Sequence, residues 1–481
     1  MRGGRAWAGL LSIERRAEIT KQAAAARWRK MTAEIAIINK SAIALAADSA
    51  VTITTGTRQE KIFDTADKLF ELCDHNPIGI MIYNGMSFAG TPLPSLIKLF
   101  RTKSCGYDKV EVAASAFLEF LQNYGASAPE SAKNSDAIHT ISRRLLKIRQ
   151  EAADAFEKEL GGYLENNKNP TQKGIAAFGN SIIKRLADEY IIILKKQDDA
   201  LFMDGDFTLT EKLRSNIVEC ISRLFPDTSK ITKNKLFQVS ELLLSKSVMS
   251  DSATGIVIAG FGTDEIFPTL VSFEVDGIIG SKLKYIKTNH VDIDIIDGST
   301  SRATVIPFAQ KEMVERFLYG LDEKIQTDIA DFCESTISSI AEKILEKIEF
   351  ADPKGADVIQ KVVEAAEAAF ANGLKMHAFE AIRNRSRAQI EDMVEFMPKQ
   401  ELADMAEALV NLTSIKRRVS RGMETVGGPI DVAVISQSEG FVWVKRKHYF
   451  SPELNSRYFQ RVERLLAHKM ESAHAQNEKS R

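Results

Sequence analysis

Two apolar runs, Glu34-Ile35-Ala36-Ile37-Ile38 and Ala42 to Ala47, lie on either side of Asn39-Lys40 and read as a β-hairpin. No other segment constrains the fold as strongly, because strands this poor in polar side chains need cover on both faces. Asp48 ends the second run, and more strand signals follow. Val51 to Thr55 is β-branched and alternating, and Lys68 to Leu72 runs into the turn-prone Asp74-His75-Asn76-Pro77. Ile78 to Tyr83 has the continuous apolar character of a buried strand and leads into Asn84-Gly85. Together these signals predict a five-stranded β unit.

Helical periodicity then takes over. Val110, Ala113, Phe117 and Leu121, and later Ile175, Phe178, Ile182, Leu186 and Ile193, recur at three- and four-residue steps, so the block from about 109 to 250 is predicted to be mostly helical. Loops are expected at 162–173 and at Asp204 to Asp206, the latter before a helix from Thr210. Strands return at Ile256 to Gly260, Leu270 to Val275, Val291 to Ile296 and Ala303 to Ile306. A second helical block spans about 311–415, with Ile325, Ile329, Phe332, Ile340 and Ile344 on one face. The last strands are Ile430 to Ile435 and Phe441 to Val444. No crossover helix separates successive strands within a β segment, which excludes a doubly wound parallel sheet. The economical architecture is α+β, with two antiparallel sheets packed together and helices outside.

Charge and cysteines narrow the classes further. A net charge of −1, with acids and bases interspersed, favours neither nucleic acid nor an anionic membrane as partner. Cys73, Cys105, Cys220 and Cys333 form no C-x-x-C pair, which argues against a disulfide framework or zinc ribbon and makes a reducing cytoplasm the simplest compartment. The seven histidines form no ligand cluster and no phosphate-binding glycine loop is present, so neither a metal nor a cofactor is expected. No apolar stretch is long enough to span a bilayer. Residues 1–30 are basic and Ala-rich. They read as an appendage: a propeptide, a transit sequence, a nucleic-acid-contacting arm, a solvated tail or the product of a start codon placed too far upstream. Residues 31–450 read as one domain, and 451–481 as a polar tail with helical character.

Thr32 directly follows Met31. A threonine that becomes the first residue of a chain can use its own α-amine as general base for its hydroxyl, so hydrolysis there needs no histidine. The segments TAEIAIINKSAIALAADSAVT and DKLFEL, the Asn84-Gly85 pair and GGPIDVAVISQSEGFVWV resemble the proteasome β-subunit branch of the N-terminal nucleophile (Ntn) hydrolases, as a divergent bacterial-type member. The resemblance covers 32 to about 100, 254–310 and 424–445. It implies a four-layer αββα sandwich with enlarged helical layers and threonine-peptidase activity. Thr32 would be the nucleophile. Lys68 would supply a nearby ammonium that lowers the pKa of hydroxyl and amine, and Asp48 would hold that ammonium in place. Backbone N–H groups of Asn84 and Gly85 would form the oxyanion hole.

This chain departs from the family pattern in three places. Thr304 stands where the family has a serine near the nucleophile's amine, so a hydroxyl is retained. Met423 and Val426 stand where the family has an aspartate and a serine; Glu424 and Thr425, one residue away, could serve if that loop is shifted. Met31 replaces the glycine after which many family precursors cut themselves, so translation from Met31 followed by removal of that methionine is the route expected to expose Thr32. The partners implied are a peptide or protein substrate, further copies of the chain in a homo-oligomer and, by analogy alone, an ATP-dependent unfoldase. The alternative is a structural or binding subunit that keeps the sandwich without the chemistry.

Overall fold

The computed structural model describes residues 32–464, except 56–58, 64, 105, 168–170, 204, 251–252, 294–301, 348–352, 420–427, 449 and 462. The chain opens with β1 (Ala33–Asn39) and β2 (Ala42–Asp48), an antiparallel hairpin with every residue buried. The Asn39 side chain closes its turn by accepting hydrogen bonds from the Ser41 and Ala42 N–H groups. Next come β3 (Val51–Thr55), β4 (Gln59–Phe63), β5 (Leu69–Glu71), β6 (Ile78–Asn84), β7 (Ser87–Phe88) and β8 (Thr91–Pro92). The first helical block holds α1 (Leu93–Arg101), α2 (Val110–Ala126), α3 (Glu130–Asn166), α4 (Gln172–Lys195), α5 (Glu211–Leu224) and α6 (Lys230–Ser245), with the short β9 (Leu201–Phe202) between α4 and α5. The returning strands are β10 (Thr254–Gly260), β11 (Thr269–Ile279), β12 (Lys282–Asp292) and β13 (Ala303–Ala309). The second block runs through α7 (Glu312–Tyr319), α8 (Glu323–Leu345), α9 (Pro353–Gly373), a π-helical turn at Leu374–Phe379, α10 (Glu380–Glu395) and α11 (Lys399–Val419). The strands β14 (Ile430–Ser436) and β15 (Gly440–Lys445) follow.

Two main sheets, both antiparallel, organise these elements. One has the order β13-β1-β2-β14-β15 and the other β5-β6-β10-β11-β12-β9. The front strands therefore do not form one unit: β1 and β2 belong to the first sheet, β5 and β6 to the second, and β3 pairs with β4 in a separate ribbon. The predicted α+β class and the antiparallel pairing are both observed.

Side-chain alternation explains how the sheets are covered. Ala36 and Ile38 of β1, Ile43, Leu45 and Ala47 of β2, and Ala433 and Ile435 of β14 pack with Leu69, Met81, Val257, Ala259 and Leu270 of the second sheet. The intervening residues Ala33, Ile35, Ile37, Ala42, Ala44 and Ala46 face away, against Val314 and Leu318 of α7, Val394 of α10 and Leu402, Ala403, Ala406 and Val410 of α11. The small side chains on both partners let α11 lie close to β2. On the second sheet, Ile80, Ile82, Ile256, Ile258 and Val271 pack against α1 and α2. A separate helical core joins α3, α4, α5 and α6 and meets the sheet at Ile279.

Sequence expectation and structure differ in three further places. The expected loop at 162–173 shrinks to a link between α3 and α4, because helix continues through Gly161-Gly162 and the Tyr163 ring stacks on Phe178 with centroids 4.4 Å apart. The strand expected from Val291 begins instead at Lys282, and its residues 294–296 lie outside the described positions. Alternating lysines and polar residues hide it; the hairpin turn before it is marked by Gly280, whose φ of +70° favours glycine. Third, the apolar face expected on the second helical block finds no core: α8 buries none of its residues, and Ile329, Phe332, Ile340 and Ile344 are exposed.

Candidate active site

Thr32, Asp48 and Lys68 come together at one end of the space between the sheets. Thr32 is anchored where β1 meets β13, its carbonyl accepting from the Gln310 N–H at 3.1 Å. Asp48 ends β2, and antiparallel pairing returns it beside the start of β1, where its Oδ1 accepts from the Ala33 N–H at 3.3 Å. Lys68 immediately precedes β5. The segment leading to it is held by the Ala66 N–H donating to the Ser49 carbonyl, while the Ser49 hydroxyl donates to the Pro429 carbonyl. The Lys68 ammonium donates to Asp48 Oδ1 at 2.6 Å, a contact of the kind the resemblance implies.

A fourth residue links this pair to Thr32. Glu34, the one charged residue in β1, accepts from Lys68 at 3.0 Å through Oε1 and from the Thr32 hydroxyl at 3.1 Å through Oε2. Thr32 and Glu34 share a strand face by their two-residue spacing, the face on which Ala36 and Ile38 enter the inter-sheet core. Sequence reasoning passed over Glu34 because it stands within a strand pattern. Its signal was an acid in a strand otherwise apolar on both faces, a placement that requires a buried partner.

Electrostatics in this cluster is set by burial. Glu34, Asp48 and Lys68 are each at most 1 % exposed, so neither carboxylate shares its charge with bulk water. Burial is the largest influence on Glu34 and, with the neighbouring Asp48 charge, lifts its carboxyl to about 7 against the pull of Lys68 and the hydrogen bonds from Lys68 and Thr32. For Lys68 burial works in the opposite sense, disfavouring the ammonium, but the charges and hydrogen bonds of Asp48 and Glu34 outweigh it and hold the group above its ordinary value. Lys68 is therefore a stable cation at neutral pH.

Tyr83 of β6 closes one side. Its ring packs on Phe308 of β13 at 5.5 Å between centroids, and Phe308 is the cross-strand partner of Glu34. Burial, followed by the charges of Glu274 and Glu34, raises the Tyr83 hydroxyl well above its ordinary value, so it stays protonated. Gly255 of β10 makes this position available: a Cβ there would lie 1.9 Å from the Tyr83 ring. A second ion cluster sits alongside. Lys447 pairs with Asp431 and lies 3.1 Å from Asp67, with its side chain 9 % exposed.

The remaining predicted site residues are placed unevenly. Asn84 ends β6 just beyond Tyr83, with a φ of +67° that turns the chain and a side chain donating to the Ala253 carbonyl at 2.6 Å; Gly85 follows it. Thr304 does not join the cluster. It pairs with Ile38, six residues along β1 from Thr32, or ~20 Å away at the strand rise. The register of β13, which the sequence does not specify, puts it there. Glu424 and Thr425, with Met423 and Val426, lie outside the described residues, as do residues 1–31. Among the described residues no helix is long and apolar enough to cross a membrane. A scan of the chain against models of known protein families gives no match, and neither does a search of curated protein sequences.

Proposed function

We propose that this chain is an amide-bond hydrolase of the proteasome-like Ntn type, which cleaves peptide bonds with Thr32 as nucleophile and with the Thr32 α-amine, once free, as general base. The two antiparallel sheets and the helices on their outer faces are, in this reading, a four-layer αββα sandwich with enlarged helical layers. The observation that carries the proposal is the buried Lys68 ammonium, bound to Asp48 at 2.6 Å and reaching the Thr32 hydroxyl through a single carboxylate. Taking a lysine and two carboxylates out of water carries a desolvation cost that only close, hydrogen-bonded geometry offsets. Beside a threonine the lysine supplies a fixed positive charge that favours the ionised hydroxyl. Peptide N–H groups at Asn84-Gly85 are the proposed oxyanion donors. Peptide or protein is the proposed substrate, the proposed setting is a cytoplasmic homo-oligomer, and an unfoldase partner rests on analogy alone.

One observation favours the second reading, a scaffold without chemistry: Thr32 is only 4 % exposed, and its hydroxyl is already engaged by Glu34. Intact mass and N-terminal sequencing of untagged protein, followed by peptide hydrolysis by wild type and Thr32→Ala, separate the two. A chain beginning at Thr32 whose turnover disappears in the alanine variant supports the hydrolase. Turnover that persists in the variant rules out Thr32 as the nucleophile, and no turnover in a chain that begins at Thr32 leaves the scaffold.

A further inference from the structure

The Thr32 hydroxyl hydrogen already has a destination. It points to Glu34 Oε2 at 3.1 Å, while Oε1 of the same carboxylate is pinned by Lys68 at 3.0 Å, so the group cannot rotate away from Thr32 without breaking an ion pair. We infer that Glu34 is a catalytic residue, the group that takes the proton of the Thr32 hydroxyl as Oγ1 attacks, so that the α-amine given this role above is not the group that performs it. The inference rests on the reading of Thr32 as nucleophile. Lys68 is excluded as the acceptor because it remains an ammonium, bound on its other side to Asp48.

The step balances without a co-reactant. Oγ1 forms a bond to the carbonyl carbon, the carbonyl π pair moves to its oxygen, and the hydroxyl proton passes to Glu34 Oε2. On collapse the carbon–nitrogen bond breaks and the proton passes from Glu34 to the leaving nitrogen, giving a Thr32 ester and a free amine. Water, deprotonated in turn by Glu34, attacks the ester carbon; the bond from that carbon to Oγ1 then breaks, Oγ1 takes the proton back from Glu34, and the acid leaves with the hydroxyl and the carboxylate both restored. A carboxylate surrounded by water is too weak a base for this role, but Glu34 is buried and titrates near neutrality. The groups around it are Thr32 just ahead of its own strand, Asp48 at the end of β2, Lys68 ahead of β5, Tyr83 of β6 with Glu274 of β11 beyond it, and the uncharged Phe308 of β13. Tyr83 stays protonated and Lys68 charged through the neutral range, so among these three side chains it is Glu34 whose charge changes there. Acylation of Thr32 then does not require that its amine be free.

The test uses the full chain and a peptidyl β-lactone, which acylates a hydroxyl by ring opening, the displaced oxygen taking the proton. Ester formation is followed by intact mass between about pH 5 and 9, with Thr32→Ala, Glu34→Gln and Glu34→Asp alongside. The expected result is modification of wild type with a rate that rises through a midpoint near 7, none in Thr32→Ala, and a loss of about a hundredfold with a flattened profile in Glu34→Gln. If Glu34→Gln does not fold, Glu34→Asp decides: withdrawing the carboxylate by one methylene is expected to slow acylation about tenfold or more, at a similar midpoint. Equal labelling of Thr32→Ala and wild type, or no labelling of wild type at any pH, defeats the reading of Thr32 as nucleophile and the inference with it. A silent Thr32→Ala beside a Glu34→Gln or Glu34→Asp that keeps the wild-type rate overturns the inference alone and returns the role of base to the α-amine.

Discussion

At the scale of single residues, Lys68 is the member whose loss costs most. Replacing it with methionine leaves Glu34 and Asp48 as two buried carboxylates without their cation, and urea unfolding at neutral pH is expected to show a loss of about 3–5 kcal/mol. Glu34 gives a second prediction. Its carboxyl titrates at about 7 in the fold against 4.5 for an ordinary glutamate, so the folded state favours the protonated form. That stabilisation is complete below about pH 4.5 and is lost as pH rises through about 7. Wild type should therefore lose stability relative to Glu34→Gln across this window in a pH series of urea melts; parallel curves would refute it. Thr32, Asp48 and Lys68 were named from the sequence through the family resemblance of the segments that hold them, Thr32 also because a threonine after Met31 can become the first residue of a chain. Glu34 was not, since its meaning lies in a lysine thirty-four positions away that only the packing of two sheets brings to it.

Among the elements, the clearest dependence is of β6 on β10. Gly255 and Tyr83 are cross-strand partners, and the ring occupies the space above the glycine. Gly255→Ala is expected to displace Tyr83 from Phe308 and to destabilise the fold by about 1–3 kcal/mol, measured as a lower urea midpoint. Tyr83 also screens Glu34, so the variant's pH response should shift along with its stability. Strands that are largely apolar on both faces, such as β1, β2, β10 and β14, were readable from composition. By contrast β4, with QEKIF, and β12, with KLKYIKTNHVD, were not, because charged and polar residues break up the apolar pattern and it is the pairing with β3 and β11 that makes them strands. Helix starts were marked by local chemistry: Thr171, Thr210, Ser229 and Asp322 each accept a hydrogen bond from the backbone N–H three residues on.

For the whole molecule, cohesion is uneven. Every residue of β1 and β2 is buried, whereas α8 buries none, so hydrogen exchange is expected to proceed through α8 well before it reaches the hairpin. Equal protection of the two would contradict this picture of a dense sheet core with a loosely attached helical block. How the helical blocks share out their packing was not legible, since periodicity gives the apolar face of a helix but not the surface that meets it. The alternation along β1 carries a further consequence for assembly of the fold. If β1 paired one residue out of step, Thr32 and Glu34 would turn toward α7, α10 and α11, and Glu34 would lie among Leu402, Ala403 and Ala406 with no cation to meet it. The mispaired chain would also leave Lys68 without one of its two acids. The charges gathered around Thr32 thus act as a proofreading device during folding, penalising wrong strand alignments that apolar contacts alone would tolerate.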